Sequence, residues 1–216
     1  MTGAANKRVN QDASKLAPIT RALYHLGLTM GSVTEALESA IKSDRLKSVL
    51  TDLNMYFYNR KHEGQIRDAL LVEISKNSLY VGLSEYPKSG AGAVDLTLFH
   101  KNERLDTAAV IEFKHHYPKD MNYKGCLDAI VSDTLRTVER HTTHFVLIMQ
   151  VRNQSESLPF GSVKFMERND SDVHKYIKKL EDYSEFPPWL EKRKTVISVI
   201  GDIHSEYWFF IYKIRN

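Results

Sequence analysis

The chain should fold as an α/β protein in which a central mixed sheet is flanked by helices and preceded by an amino-terminal helical region. Three observations predict this. Apolar residues recur at helical spacing from Ile19 to Tyr56 and again from Ile66 to Ile74. The period then shortens to strand-like runs between Leu79 and His115. A striped helical segment from about Asn122 to Arg140, carrying Leu127, Ile130, Val131, Leu135 and Val138, is followed directly by the apolar run His144–Val151. A strand-helix-strand crossover of this kind is right-handed and lays its second strand parallel to the first.

Taken in order, Met1–Lys15 is polar and without hydrophobic period, which predicts a flexible arm whose Lys7 and Arg8 can reach phosphates. Residues 16–61 form the helical region, packed on the core. Ile19, Leu23 and Leu26 mark one helix, Val33, Ala36, Leu37 and Ile41 a second, and Leu46, Val49, Leu50, Leu53 and Tyr56 a third. Gly31 breaks the first from the second, and Ser32 with Glu35 has the S-x-x-E form of a capping box. Tyr56, Tyr58, Arg60 and Lys61 mix aromatic and basic side chains; such a mixture stacks on bases and pairs with phosphates, or simply ends an amphipathic helix.

Residues 62–216 supply the core. A helix is predicted over His62–Lys76, then strands over Leu79–Leu83 and Ala93–Phe99 around the turn-prone Pro-Lys-Ser-Gly-Ala-Gly segment, then a strand over Ala108–His115. These three strands should pair antiparallel. Beyond His144–Val151 come a short strand near Ser162–Met166, a helix near Asp172–Tyr183, and a closing hairpin of Thr195–Ile200 and Tyr207–Ile214 across Gly201-Asp202.

Composition bounds the function. With 216 residues, 42% hydrophobic and 26% charged, the chain suits one ordinary globular core and not a disordered or fibrous protein. No apolar run approaches the roughly 20 residues that span a bilayer, and the amino end lacks a signal-peptide stretch, so no membrane partner and a cytoplasmic location are expected. Cys126 is the single cysteine; it can make no internal disulfide and is expected to pack as a small apolar residue. The formal charge of +3 and pI near 8.8 suit a polyanionic partner without demanding one. No Gly-rich phosphate loop is present, which argues against built-in nucleotide hydrolysis.

The segment that carries chemistry is Ala93-Val-Asp-Leu-Thr-Leu-Phe99, a polar turn, and Ala109-Val-Ile-Glu-Phe-Lys-His-His116. Alternation along a strand sets Asp95 opposite the face of Val94, Leu96 and Leu98, and sets Glu112 and Lys114 opposite Ile111 and Phe113. Two carboxylates and an ammonium then converge on one side of a hairpin. Strands disfavour Asp and Lys, and half-buried carboxylates repel one another unless a cation or proton intervenes. A hard divalent ion resolves that conflict: Mg²⁺, or Mn²⁺ in its place, takes oxygen ligands from one or two carboxylates. Chance alone would give an acid-x-Lys tripeptide about twice in a chain of this composition. It occurs once, inside an apolar strand and one hairpin after a strand-borne aspartate. The ordinary alternative is an exposed β-edge with Glu112 and Lys114 as a surface ion pair.

From His62 to Val151 the order helix, Asp strand, Glu-x-Lys strand, helix, strand resembles the PD-(D/E)xK nuclease superfamily. The resemblance implies a restriction-endonuclease-like core, Asp95 and Glu112 as ligands of Mg²⁺, and Lys114 as the catalytic lysine. Members of that superfamily also place an acid on the helix before the hairpin; Glu63 matches best as a further catalytic and metal-binding carboxylate, Glu73 is its rival, and a plain helix-start carboxylate is the alternative for Glu63. Val94 stands where the superfamily has proline, a residue of backbone shape and not a ligand. The implied activity is metal-dependent endonucleolytic hydrolysis of DNA, as in restriction or genome defence, with a homodimer able to cut both strands.

Around this core, His115, His116 and Lys124 are candidate nucleic-acid contacts. His115 and His116 lack metal-ligand spacing and can equally be a polar strand end, and Lys124 with Asp128 can be an i,i+4 pair. Asp133, Arg136 and Arg140 fall on the solvent side of the same helix and receive no catalytic role. Two rival functions stay open: the same chemistry on RNA, on branched junctions or as a toxin, and a non-catalytic nucleic-acid-binding or assembly module.

Overall fold

The computed structural model of the chain describes residues 31–57, 61–88, 92–101, 106–118, 128–132, 143–152, 170–199 and 204–215. The expected arm and first helix, the short strand near Ser162, the Gly201-Asp202 turn, Cys126, Lys124, Asp133, Arg136 and Arg140 lie outside them. Helices α1 (Val33–Ile41), α2 (Asp44–Tyr56) and α3 (Glu63–Asn77) lead into strands β1 (Tyr80–Lys88), β2 (Gly92–His100), β3 (Thr107–His116) and β4 (His144–Arg152). Helix α4 (Asp170–Glu181) and strands β5 (Trp189–Val199) and β6 (Ser205–Ile214) complete the described elements.

The fold is mixed α/β: a six-stranded sheet of order β1-β2-β3-β4-β6-β5, with helices on both faces. All neighbours pair antiparallel except β3 and β4, which run parallel as the crossover pattern predicts. Side-chain alternation sorts the interior strands into two cores. Ile111, Phe113, Val146, Ile148, Phe209 and Ile211 face α1, α2 and α3. Phe145, Leu147, Met149, Trp208, Phe210 and Tyr212 face α4 and the helical residues 128–132. Central strands buried on both faces read as nearly continuous apolar runs, which is why β4 and β6 are legible by composition.

Local signals act as expected at α1. Ser32 Oγ accepts from Glu35 N at 3.2 Å while Glu35 Oε2 accepts from Ser32 N at 2.6 Å, a complete capping box. Ser43 caps α2 by a single bond, its Oγ accepting from Leu46 N at 3.1 Å. Two strands exceed their predicted bounds. β1 continues from Leu83 to Lys88 through Pro87, because it is an edge strand where a missing N–H breaks no ladder. β5 begins at Trp189, its alternation masked by the charged run Glu191–Lys194 on the other edge.

Gly82 sets the approach of α3 to the sheet: a Cβ there would stand 2.3 Å from Leu71 Cδ1 and 2.9 Å from Leu98 Cδ2. Gly82→Ala should therefore overpack the helix-sheet contact and cost about 1–3 kcal/mol by denaturant unfolding. Two histidines are buried in the strands. His144 bonds Thr34 Oγ1 at 3.2 Å and Thr143 Oγ1 at 2.9 Å, and burial beside Lys213 lowers its pKa to about 4. Burial first, then the neighbouring His62, His116 and Lys61, lowers that of His115 to about 3. Both folded-state values lie below the ordinary 6.5, so the unfolded chain binds more protons in that window. Stability should be full above pH 6.5 and fall with acidification by up to about 1.4 kcal/mol per pH unit per histidine, towards pH 4 for His144 and pH 3 for His115. Unfolding free energies measured across this range should show the slope, and His115→Asn should flatten it.

Candidate active site

The site grows out of a change of partners by one strand. Between Thr107 and Ile111, β3 pairs with β2; from Ile111 to His116 it pairs with β4. The β2–β3 ladder ends at Leu96↔Ile111, one step short of Asp95 opposite Glu112. Beyond that point β3 turns two amide N–H groups, of Phe113 and His115, towards the side β2 has left. Each is taken by a carboxylate: Asp95 Oδ2 accepts from Phe113 N at 2.8 Å, and Glu63 Oε2 accepts from His115 N at 2.9 Å. A buried amide left unsatisfied would cost about 1–3 kcal/mol, so these side chains complete the sheet where backbone cannot.

Glu63 arrives from α3, whose first residue it is, and α3 is docked at this corner by a second bond. His62 N donates to His115 Nδ1 at 2.9 Å, while the His62 ring turns to Phe57 O at 2.7 Å. One residue of β3, His115, thus holds His62 with its ring and Glu63 with its backbone. His115, a candidate nucleic-acid contact, is only 2% exposed, its ring tilted against those of Tyr117 and Tyr207 beside Gln150. His116 is half-buried at the strand end, paired with Met149.

Glu112 and Lys114 share the face of Phe145 and Leu147, the α4 side of the sheet, as alternation predicts. Glu112 is buried, 8% exposed, and Lys114 is half-buried. Charge couples the corner. Burial raises the Glu63 carboxyl above its ordinary range and Asp95 adds to the rise, while the Lys114 ammonium, the His115 amide and Arg67 oppose it. Asp95, Glu63 and Lys114 are thus brought together, and Glu112 lies on the Lys114 face of β3, two residues before it. Glu73 is not part of this group: ten residues along α3, about 15 Å away, it bonds Asn77 Nδ2 at 2.9 Å and lines a hollow of about 660 Å³ with Glu35, Glu38 and Asp44. Asp128 accepts from the Tyr183 hydroxyl at 2.8 Å.

Sequence reasoning missed Arg67 and Glu85. Arg67 lies one turn beyond Glu63 on α3, with Nε 3.0 Å from Asp68 Oδ1, Nη1 3.9 Å from Asp95 Oδ1, and both terminal nitrogens 3.4 Å from Glu85 Oε1. The i,i+4 spacing from Glu63 was the available signal. The donor set is hard oxygen throughout, which suits Mg²⁺ or Mn²⁺ and not a soft metal. Among the described residues, no three His, Cys, Asp or Glu side chains are gathered closely enough to enclose an ion as they stand. Family models, curated proteins and solved structures gave no match to this chain.

The raised Glu63 pKa carries a sign. The fold binds this proton more tightly than the unfolded chain, so Glu63 stabilises least above its folded-state pKa and the penalty vanishes below its ordinary value of 4.5. Glu63→Gln keeps an acceptor for His115 N. It should raise the unfolding free energy at neutral pH, with the gain fading below about pH 4; a gain that persists in acid would show that charge burial is not its source.

Proposed function

We propose that the chain is a metal-dependent endonuclease that hydrolyses phosphodiester bonds in DNA, built on a restriction-endonuclease-like PD-(D/E)xK core and serving restriction or genome defence. The observation that supports the reading is the opening where β3 leaves β2, at which Asp95 and Glu63 both bond the β3 backbone and Lys114 acts on Glu63. Asp95 and Glu63 each spend one oxygen on the β3 backbone, and the other oxygen of Asp95 faces Arg67 Nη1 at 3.9 Å. Their mutual repulsion, felt in the Glu63 carboxyl, is the tension a divalent cation relieves. Mg²⁺ keeps several waters and is held by one or two carboxylates with substrate phosphate, so it does not require a ready cage of three side chains.

In this reading Asp95 and Glu112 hold the ion, with Glu63 beside them, and Mn²⁺ substitutes. When bound, the ion lowers the pKa of a water and neutralises charge on the phosphate. Lys114 orients that water and stabilises the negative charge that develops as the phosphorus is attacked. His116, at the strand end, lies next to the path of the substrate backbone. The half-buried rim keeps bulk water from screening these charges.

Purified protein with Mg²⁺ or Mn²⁺ should nick or linearise plasmid DNA, and Asp95→Ala, Glu112→Ala and Lys114→Ala should each lower the rate by about 100-fold or more. Equal cleavage by wild type and all three variants would expose a contaminant. Binding without turnover under every metal would favour the non-catalytic module, and cleavage confined to RNA or branched substrates would move the same chemistry to another target.

A further inference from the structure

Arg67 is set apart from the other cations of the gap by how it is held. Its side chain is only 10% exposed, yet the outer edge of its guanidinium fork is loosely occupied: Nη1 and Nη2 both meet one oxygen, Glu85 Oε1, at 3.4 Å. That partner is 71% exposed, and an exposed carboxylate holds an arginine weakly. The inner nitrogen, by contrast, is tied to Asp68 at 3.0 Å, which fixes the direction of the fork.

Glu85 is unusual in its backbone as well. It is the only non-glycine residue with positive φ among the described residues, at 50°. It lies between the pairs Ser84↔Leu96 and Tyr86↔Val94, at the position of β1 across from Asp95. A left-handed residue within a strand is unfavourable and persists where surrounding structure imposes it, most often at functional sites. The result is a single carboxylate oxygen presented to a fork shaped for two anionic oxygens.

We propose that Arg67 is the phosphate-binding residue of this site and that Glu85 is its displaceable stand-in: a phosphate of the nucleic-acid backbone takes the place of the Glu85 carboxylate on Nη1 and Nη2, beside Asp95. The location of that phosphate next to the reacting centre rests on the nuclease reading; the binding itself does not. A phosphate offers two oxygens and more charge than Glu85, so the exchange improves both geometry and electrostatics. Glu85, on the edge strand, has solvent to move into.

Fluorescence anisotropy of a short labelled DNA duplex, with Ca²⁺ in place of Mg²⁺ to hold back cleavage, tests this. Arg67→Gln should weaken binding about tenfold to hundredfold and reduce the salt slope by about one phosphate contact. Arg67→Lys, which keeps charge but loses the fork, should fall between. Glu85→Gln changes only an exposed side chain, should fold normally, and should tighten binding several-fold by removing the competitor. Calorimetric titration of Arg67→Gln with Mn²⁺ should show affinity equal to or above wild type, because a cation next to the carboxylates has gone.

Unchanged duplex affinity in Arg67→Gln, weaker or unaltered binding in Glu85→Gln, a wild type that binds no duplex, or loss of Mn²⁺ affinity in step with DNA affinity would each overturn the assignment. The last would make Arg67 an organiser of the carboxylates. Duplex binding through Arg67 by a chain that cuts nothing would end the nuclease reading and leave this one standing. Cleavage that depends on Asp95 but not on Arg67 would do the reverse.

Discussion

Phe113 and His115 donate their amide protons to side chains and not to a neighbouring strand, at 2.8 and 2.9 Å. Every feature of the candidate site derives from that substitution. β2 stays beside β3 only as far as Ile111, while β4 pairs with the other side of β3 from Ile111 onward. The amides exposed by the change need acceptors, because water is scarce at a sheet interior. Carboxylates are the strongest acceptors available, and their recruitment draws negative charge into a place where apolar packing alone would have kept it out.

Charge balance then becomes the second constraint. Glu63 and Asp95 meet at the end of the β2–β3 ladder, where Lys114 and Arg67 are the nearby cations traced by their effect on Glu63. Burial keeps the Glu63 carboxyl above its ordinary range, while Lys114 outweighs the repulsion from Asp95. A cluster serving stability alone would gain by replacing an acid with an amide, which keeps the acceptor and drops the repulsion. Under the nuclease proposal an external cation offsets the cost of burying these acids. The apolar interior supplies the rigidity this needs: α3 is seated closely over Gly82, and its first turn is pinned by His115, so the Glu63 carboxylate is delivered by packed elements and not by a loop.

Much of this was legible in the amino-acid order. Alternation in Ala109-Val-Ile-Glu-Phe-Lys assigns Glu112 and Lys114 to one face, and the hairpin brings Asp95 across from them, because a strand has only two faces and a buried apolar set chooses one. The helix start at Glu63 and the parallel setting of His144–Arg152 were readable for similar local reasons. His115 was not: a histidine following a lysine reads as polar, and only the packing of Tyr117, Gln150 and Tyr207 shows that it belongs to the interior. Arg67 and Glu85 were hidden for a different reason. Their meeting involves a left-handed residue in β1 and a contact between α3 and that edge strand, neither of which has a periodic signature.

The three levels of interaction at the gap differ in what they can give up. The bonds from Asp95 and Glu63 to the β3 backbone are part of the fold, and losing them leaves amides unpaired. The Arg67–Asp68 bond orients a side chain and can be lost without opening the sheet. The Arg67–Glu85 contact, long and solvent-facing, contributes least to the folded state. An incoming polyanion must displace something, and the cheapest exchange is at the outermost level. On the proposal that Arg67 takes a nucleic-acid phosphate, that ordering puts the exchange where the fold is least committed and keeps the carboxylate framework fixed while it occurs.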